Sequence, residues 1–148
     1  MADDAYELAL DALGRKERST AELRAWLRER SVAEEELEST ISRLTELGEL
    51  DDARFARRYA EDKRELAGWG AERIRDALLA RGVAPEDIES ALAPDSDPHQ
   101  VERATQLLVR RGRPLDSDAA RSSALGFLTR KGYSYEIAYE AIRASSGS

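Results

Sequence analysis

The sequence contains no cysteine, and its 148 residues include a single histidine, His99. The absence of cysteine excludes disulfide bonds, thiolate nucleophiles and sulfur-ligated zinc, and it suits a reducing compartment, so we expect a cytoplasmic protein. One histidine alone does not provide the ligands of a usual transition-metal site. Walker glycine loops and the H-E-x-x-H and G-x-S-x-G motifs are absent as well. We therefore expect no metal, no cofactor, no catalytic residues and no enzymatic activity.

Long apolar runs and prolines are also scarce. There is no run of about 18 apolar residues, so the sequence predicts no membrane-spanning helix. Only four prolines occur, whereas alanine, leucine, glutamate and arginine are abundant, and this composition favours helix throughout. Hydrophobic residues make up 41% of the chain, which is enough to build a core. Because no alternating strand pattern is present, the sequence predicts an all-α fold.

Capping signals and apolar residues spaced at the helical period indicate where the helices begin and end. Ser19 with Glu22 forms an S-x-x-E capping box, and Ser31 with Glu34 offers a second one. Glycines at positions 48, 82, 112 and 132 follow periodic stretches, where a left-handed residue ends a helix. These signals predict nine helices, at residues 3–15, 20–30, 34–47, 52–67, 71–81, 85–92, 98–111, 117–131 and 135–144.

A repeat of about 50 residues organises these helices. The segments that begin at Leu27, Leu78 and Leu128 align, and a hydrophobic residue recurs 10 and 14 positions after each of them. A three-helix unit of this size buries little surface alone, so neighbouring units should stack. The sequence thus predicts three tandem three-helix repeats, residues 1–50, 51–97 and 98–148, in an elongated, curved array. Residues 93–100, APDSDPHQ, have the composition of a hinge before the third repeat.

The net charge is −7, but the basic residues are concentrated in the middle and at the end of the chain. Residues 1–50 carry seven basic and 13 acidic side chains, whereas residues 51–81 carry eight basic and seven acidic ones. Residues 82–98 have no basic side chain, and residues 99–148 have eight against five acidic ones. The overall acidity makes us expect weak binding to DNA by the protein alone.

The helix predicted at residues 52–67 separates apolar and basic side chains. At about 100° per residue, Phe55, Tyr59 and Leu66 share one face, which we expect to be buried. The opposite side carries Arg57 and Arg64, with Arg54 and Arg58 nearby.

The third repeat has a matching arrangement on the helix predicted at residues 98–111. Val101 and Leu108 mark its apolar face, and Arg103 and Arg110 lie together opposite that face, about 10 Å apart along the axis. An arginine pair that recurs on corresponding helices predicts an outward binding stripe. Such a stripe suits the phosphates of nucleic acid or an acidic groove of a protein.

The alternative is that these arginines form only ion pairs within their own helices. Arg57 with Glu61 and Arg58 with Asp62 have the required i,i+4 spacing. Each such pair stabilises a helix by only about 0.2–0.5 kcal/mol. This alternative assigns the arginines no partner outside the protein.

Further residues extend the candidate surface. Trp69 lies between two glycines and either stacks on an unpaired base or packs at the start of the next helix, and we favour packing. Tyr133 occupies the register of Val32 and Val83 and is expected in the core, whereas Tyr135 is less constrained. The candidate partner- or DNA-binding residues are Arg54, Arg57, Arg58, Arg64, Arg103, Arg110, Arg111, Arg113, Arg130 and Lys131.

Residues 50–63, LDDARFARRYAEDK, and residues 70–92, GAERIRDALLARGVAPEDIESAL, resemble the central pattern of the RecX family of RecA regulators. In that pattern a Leu-Asp-Asp-x-x-Phe-Ala-x-x-Tyr helix leads into Gly-x-x-Arg-Ile and then a Gly-Val turn. The family's three tandem three-helix units agree with the repeat over nearly the whole chain. The matching residues are Leu50, Asp51, Asp52, Phe55, Ala56, Tyr59, Gly70, Arg73, Ile74, Gly82 and Val83.

This resemblance implies a bacterial regulator that binds the RecA recombinase filament in its groove. It further implies that the protein lowers strand exchange, ATPase and coprotease activities, has some affinity for single- and double-stranded DNA, and catalyses nothing itself. The alternatives are a stand-alone DNA-binding protein made of helix-turn-helix-like units and a general helical adaptor for another partner. The acidic third helices of the first two repeats count against the former alternative. We expect a monomer.

Overall fold

The computed structural model describes residues 2–146, with side chains from residue 4 onward. These residues form helices and short connections only, so the prediction of an all-α fold is confirmed. None of the helices in this part of the chain is long and apolar enough to span a membrane. The helices are α1 (Ala2–Arg15), α2 (Thr20–Glu29), α3 (Glu34–Glu46), α4 (Asp52–Ala67), α5 (Ala71–Ala80), α6 (Pro85–Leu92), α7 (Asp97–Arg111), α8 (Asp118–Lys131) and α9 (Tyr135–Ser146).

Capping residues set several of the helix ends. The Ser19 side chain accepts a hydrogen bond from the amide of Glu22, and the Glu22 carboxylate accepts one from the amide of Ser19, so the predicted capping box is formed. Helices α4 and α7 end at Gly68 and Gly112, whose φ angles are 69° and 70°. Glycine adopts this left-handed conformation without a steric cost, which explains why both helices stop there.

The prediction of a second capping box at Ser31 is wrong. Ser31 has a φ angle of 62°, and its amide donates a hydrogen bond to the carbonyl of Arg28, so this serine closes α2. Ala33 is the N-cap of α3 and makes no side-chain hydrogen bond there. Ser31 therefore occupies the position that Gly82 occupies after α5 and Gly132 occupies after α8.

Three clusters of buried residues form the core, one for each group of three consecutive helices. Tyr133 belongs to the third cluster and is only 1% exposed, as its register predicted. This organisation agrees with three repeats, although α7 begins at Asp97, one residue before the predicted start of the third. The repeat boundaries and the elongated, curved shape stay predictions.

The second and third repeats meet where α8 ends and α5 begins. The amides of Gly70 and Glu72 donate hydrogen bonds of 2.8 and 3.0 Å to the carbonyls of Lys131 and Gly132. These bonds satisfy amides and carbonyls that a helix leaves without partners at its two ends. The approach is close, since a Cβ atom at position 70 would lie 2.5 Å from the backbone of Gly132.

The first and second repeats meet at the corresponding place, where α5 ends and α2 begins, but here the hydrogen bonds involve side chains. The hydroxyl of Ser19 donates a hydrogen bond of 2.6 Å to the carbonyl of Arg81. The guanidinium of Arg81 donates two, of 3.0 and 3.1 Å, to the carboxylate of Glu22. The Asp52 carboxylate accepts from both the amide and the hydroxyl of Thr20, at 2.8 and 3.0 Å. The middle helices thus connect the three repeats.

The segment at residues 93–100 is packed more tightly than its hinge-like composition indicated. The Asp95 side chain is only 3% exposed and forms an ion pair with Arg103. Ser96 is the N-cap of α7, so the second half of the segment is already helical. Gln100 is buried and receives a hydrogen bond from the amide of Ala71 at 3.4 Å. These contacts are not those of a free linker.

Candidate partner-binding cleft

A cleft of about 650 Å³ lies between the C-terminal part of α4 and the facing side of α7, at the boundary of the second and third repeats. Four basic and two acidic side chains line it, although the whole chain has a net charge of −7. A concave surface with an excess of positive charge attracts anionic groups. The charged residues of the cleft are Arg64, Glu65, Asp95, Arg103, Arg110 and Lys131.

Arg64 and Arg110 converge on this cleft from two successive repeats. They are the second members of the two arginine pairs predicted from the sequence, on α4 and α7. Arg110 is exposed and forms no ion pair with any side chain that the structure describes. Arg64 is half-buried, and its guanidinium donates one long hydrogen bond, 3.5 Å, to the carbonyl of Ala91. Both cations are thus available to an anionic partner.

Arg103 is not an outward residue, and the prediction that it projects into solvent is wrong. Its side chain is 18% exposed and donates two hydrogen bonds, of 3.0 and 2.8 Å, to the carboxylate of Asp95. It also donates to the Tyr133 hydroxyl at 2.9 Å and to the Trp69 carbonyl at 3.2 Å. Burial alone would lower the pKa of Arg103, but the bonds to Asp95 and the proximity of Tyr133 outweigh it and raise that pKa. Arg103 therefore contributes to the joint between the second and third repeats, and its contact with a partner stays a prediction.

Lys131 also has a structural contact at this joint. Its ammonium group donates a hydrogen bond of 3.1 Å to the carbonyl of Ala67, in the last turn of α4. The hydroxyl of Tyr133 donates one of 2.8 Å to the next carbonyl, that of Gly68. Together with the bond from Arg103 to Trp69, these interactions satisfy three consecutive carbonyls where α4 ends. A cation here also interacts favourably with the helix dipole.

On the outer side of α4 the three arginines have different surroundings. Arg57 is exposed and forms no ion pair with a described side chain. Arg58 forms an ion pair with Glu17 of the first repeat at 2.6 Å. Arg54 donates hydrogen bonds to the carbonyls of Gly48 and Glu49 at 3.0 and 3.4 Å. Of these three, Arg57 has the surroundings expected of a partner-binding residue.

The alternative based on pairs within the helix is therefore not supported. Arg58 reaches another repeat instead of Asp62, and no ion pair joins Arg57 to Glu61. The spacing of residues along one helix cannot predict ion pairs that form between repeats.

A second basic cluster lies where α7 and α8 come together. The Arg111 guanidinium lies 4.9 Å from the centre of the Phe127 ring and donates a hydrogen bond of 2.8 Å to the Ser123 hydroxyl. Burial lowers the pKa of Arg111, and the like charges of Arg113 and Arg130 lower it further. No carboxylate of the described residues forms an ion pair with these three arginines. Such an uncompensated cluster would be stabilised by an anion.

Leu66 is the clearest error of the sequence-based prediction. It shares a helical face with Phe55 and was expected to be buried, but it is 84% exposed. Phe55, Ala56 and Ala60 of α4 belong to the buried core of the second repeat, whereas the Leu66 side chain in the last turn is left uncovered. Leu66 forms part of the rim of the cleft and also borders a second depression, of about 380 Å³, beside Tyr59.

The aromatic candidates separate into packed and exposed residues. Trp69 packs on the core of the second repeat, with its ring 6.4 Å from that of Tyr59 in an edge-on arrangement. Arg73 lies 4.1 Å from the centre of the same indole, so packing rather than base stacking occupies Trp69. Tyr135 and Tyr139 are 65% and 52% exposed and lie 6.4 Å apart, ring to ring.

Metal ligands do not gather anywhere in the described part of the chain. No group of three or more histidine, aspartate or glutamate side chains there has the proximity that a metal ion requires.

Known proteins similar to this chain agree on one family. The family models of the first and second three-helix domains of RecX match residues 5–44 and 51–92, respectively. The regulatory protein RecX of Thermus thermophilus is 38% identical over 143 residues, covering 97% of this chain and 93% of that protein. The regulatory protein RecX of Trichlorobacter lovleyi is 34% identical over 139 residues, 90% of each chain.

Solved structures show the same fold. The crystal structure of RecX from Lactobacillus salivarius superposes with a TM-score of 0.91 over 99% of this chain and 97% of that one, at 24% identity. A second crystal structure, of regulatory protein RecX, gives a TM-score of 0.83 at 26% identity, over 97% and 71% of the two chains. The identity, coverage and fold together show that this chain belongs to the RecX family of regulatory proteins.

Proposed function

We propose that the protein binds the RecA recombinase filament on DNA and lowers its ATPase, strand-exchange and coprotease activities. The observation that carries this proposal is the convergence of Arg64 and Arg110, from consecutive repeats, on one positively charged cleft. The cleft would receive acidic protein surface or phosphate in the groove of the filament. Arg57, on the same helix as Arg64, extends the cationic surface outward.

Several repeats acting together suit a repeating target. A filament presents the same surface at each subunit, so modest contacts by each repeat add through their high effective concentration. In this proposal a monomer bridges neighbouring RecA subunits in the cytoplasm and acts by binding, without catalysis. Bridged subunits would be hindered from the rearrangements that homologous pairing and ATP turnover require.

The proposal is tested with RecA assembled on single-stranded DNA. Adding the protein is expected to slow ATP hydrolysis and strand exchange, and the double variant Arg57→Glu with Arg64→Glu is expected to weaken both effects. The absence of inhibition at every stoichiometry would exclude the proposal.

The stand-alone DNA-binding alternative predicts a different result. Helix α3 begins with Glu34, Glu35 and Glu36, and α6 has Glu86 and Asp87 in its first turn. These carboxylates would repel phosphate if the third helix of a repeat entered a DNA groove. A gel-shift assay on DNA alone over a salt series separates the two, since sequence-selective tight binding without RecA supports the alternative.

A further inference from the structure

The cleft between the second and third repeats is apolar as well as basic. Leu66, 84% exposed, stands on its rim, and Leu107 of α7 lines it. Leu107 packs over the end of α4, so that a Cβ atom at Gly68 would lie 3.1 Å from its methyl group. Leu107 is therefore packed beside the cleft, whereas Leu66 is largely exposed to solvent. Single exposed leucines are ordinary on protein surfaces, but this one adjoins a second apolar wall.

The second depression, with both aromatic and charged lining residues, lies on the other side of Leu66. Phe55 and Tyr59 line it together with the charged residues Glu17, Asp62, Lys63 and Arg81, and Leu66 forms the ridge between the two depressions. Phe55 and Tyr59 stack with ring centres 6.2 Å apart and belong to the core of the second repeat, so this wall is rigid. A partner that rests on the ridge can cover Leu66 from both sides.

We infer that the occupant of this cleft is a protein segment that carries carboxylates next to an apolar side chain. This inference rests on the proposed function and names the chemistry of the partner at the same site. The carboxylates would pair with Arg64 and Arg110, and the apolar group would cover Leu66 against Leu107.

A nucleic-acid backbone matches this surface less well. The phosphates of a nucleic acid would pair with the two arginines, but its sugar–phosphate backbone would leave Leu66 in contact with polar groups. Burying Leu66 against an apolar side chain of a protein is more favourable than this polar contact. The second basic cluster, formed by Arg111, Arg113 and Arg130, is a separate candidate for phosphate contact.

Replacing Leu66 by serine tests the inference because the residue is too exposed to affect folding. The matched control is Leu47→Ser, which changes the same residue type at a 57% exposed position in the first repeat. Affinity is measured for a RecA filament on single-stranded DNA with a non-hydrolysable ATP analogue, and separately for a single-stranded oligonucleotide alone. We expect Leu66→Ser to weaken filament binding by roughly tenfold and Leu47→Ser by less than about twofold, with oligonucleotide binding unchanged in both.

Other results overturn the inference in distinguishable ways. If wild-type protein fails to bind the filament, the proposed function fails and the inference fails with it. If wild-type protein binds and Leu66→Ser binds equally well, only the inference fails. If Leu66→Ser weakens binding to the oligonucleotide as much as to the filament, nucleic acid is the occupant.

A photo-crosslinking residue at position 66 gives an independent result. With the assembled filament, the inference predicts a crosslink to a RecA peptide that contains aspartate or glutamate. A crosslink to DNA, or to a RecA peptide without acidic residues, contradicts it.

Discussion

The amide of Gly70 donates a hydrogen bond of 2.8 Å to the carbonyl of Lys131, so the first residue before α5 is bonded to the last residue of α8. The cleft depends on this contact, because it holds the second and third repeats at a fixed separation. Lys131, Tyr133 and Arg103 reinforce the same joint from their side chains. The geometry of the candidate site is therefore a property of the joint as much as of either repeat.

Gly70→Ala is expected to destabilise this joint. The new Cβ atom would meet the Gly132 backbone at 2.5 Å, and neither backbone can move without breaking hydrogen bonds, so we expect a loss of about 1–3 kcal/mol in the free energy of unfolding. Denaturant unfolding followed by circular dichroism measures it. Gly14→Ala is the matched control, since the added methyl group would meet nothing within 4 Å beyond its own stretch of backbone, and Gly14 lies in the last turn of α1, so we expect a change of less than about 1 kcal/mol. Equal stabilities of the two variants would contradict the close approach.

Asp95→Ala tests the role of Arg103 as a joint residue. It leaves the guanidinium of Arg103, 18% exposed, without its carboxylate partner. Removing one partner of a largely buried ion pair costs about 3–5 kcal/mol, and the exposed pair of Arg143 and Glu140 should contribute less than about 1 kcal/mol. The comparison of Asp95→Ala with Glu140→Ala in thermal unfolding therefore separates a structural ion pair from a surface one. A loss below about 1 kcal/mol in Asp95→Ala would refute the assignment.

Stability at acid pH should depend on Glu22. Burial alone would raise the pKa of Glu22, but hydrogen bonds from Arg81 and Ser19 outweigh it and lower that pKa. A carboxyl group with a lowered pKa stabilises the fold at pH values above its ordinary pKa, which for glutamate is about 4. This stabilisation is lost as the pH falls through the pKa of the folded state. Glu22→Gln keeps the capping box and removes the charge, so its unfolding free energy should fall less between pH 6 and pH 3 than that of the wild type. The exposed Glu35→Gln serves as the control, and a wild-type pH profile in Glu22→Gln would count against the ion pair.

The basic cluster around Arg111 predicts the salt dependence of DNA binding. Each contact of a cation with single-stranded DNA contributes about 0.7 to the slope of log affinity against log salt. Arg113→Gln should therefore reduce the slope by about that amount and leave stability within about 0.5 kcal/mol, because Arg113 is exposed. Fluorescence anisotropy with a labelled oligonucleotide measures the slope. An unchanged slope would show that phosphate does not contact Arg113.

Local signals predicted the helices, and long-range contacts explain where prediction failed. The capping box at Ser19 and the left-handed glycines act within a few residues, so the sequence was sufficient to place the ends they set. Arg103 and Leu66 were misplaced because a helical wheel gives the direction of a side chain but not what lies opposite. Arg103 meets Asp95 and Trp69 only after the repeats pack together. Leu66 is uncovered because the buried core residues of α4 end one to two turns before it.

The most direct test of the account reverses the charge of both arginines that converge on the cleft. The variant is Arg64→Glu with Arg110→Glu, and its control is Arg15→Glu with Arg143→Glu, which makes the same charge change at side chains that are 72% and 71% exposed on α1 and α9. The measurement is the ATPase rate of RecA on single-stranded DNA as a function of added protein. We predict that the cleft variant requires at least about tenfold more protein for half-maximal inhibition than the control variant, since charge reversal makes two contacts repulsive. Equal inhibition by both variants would contradict the assignment of this cleft as the RecA-binding site.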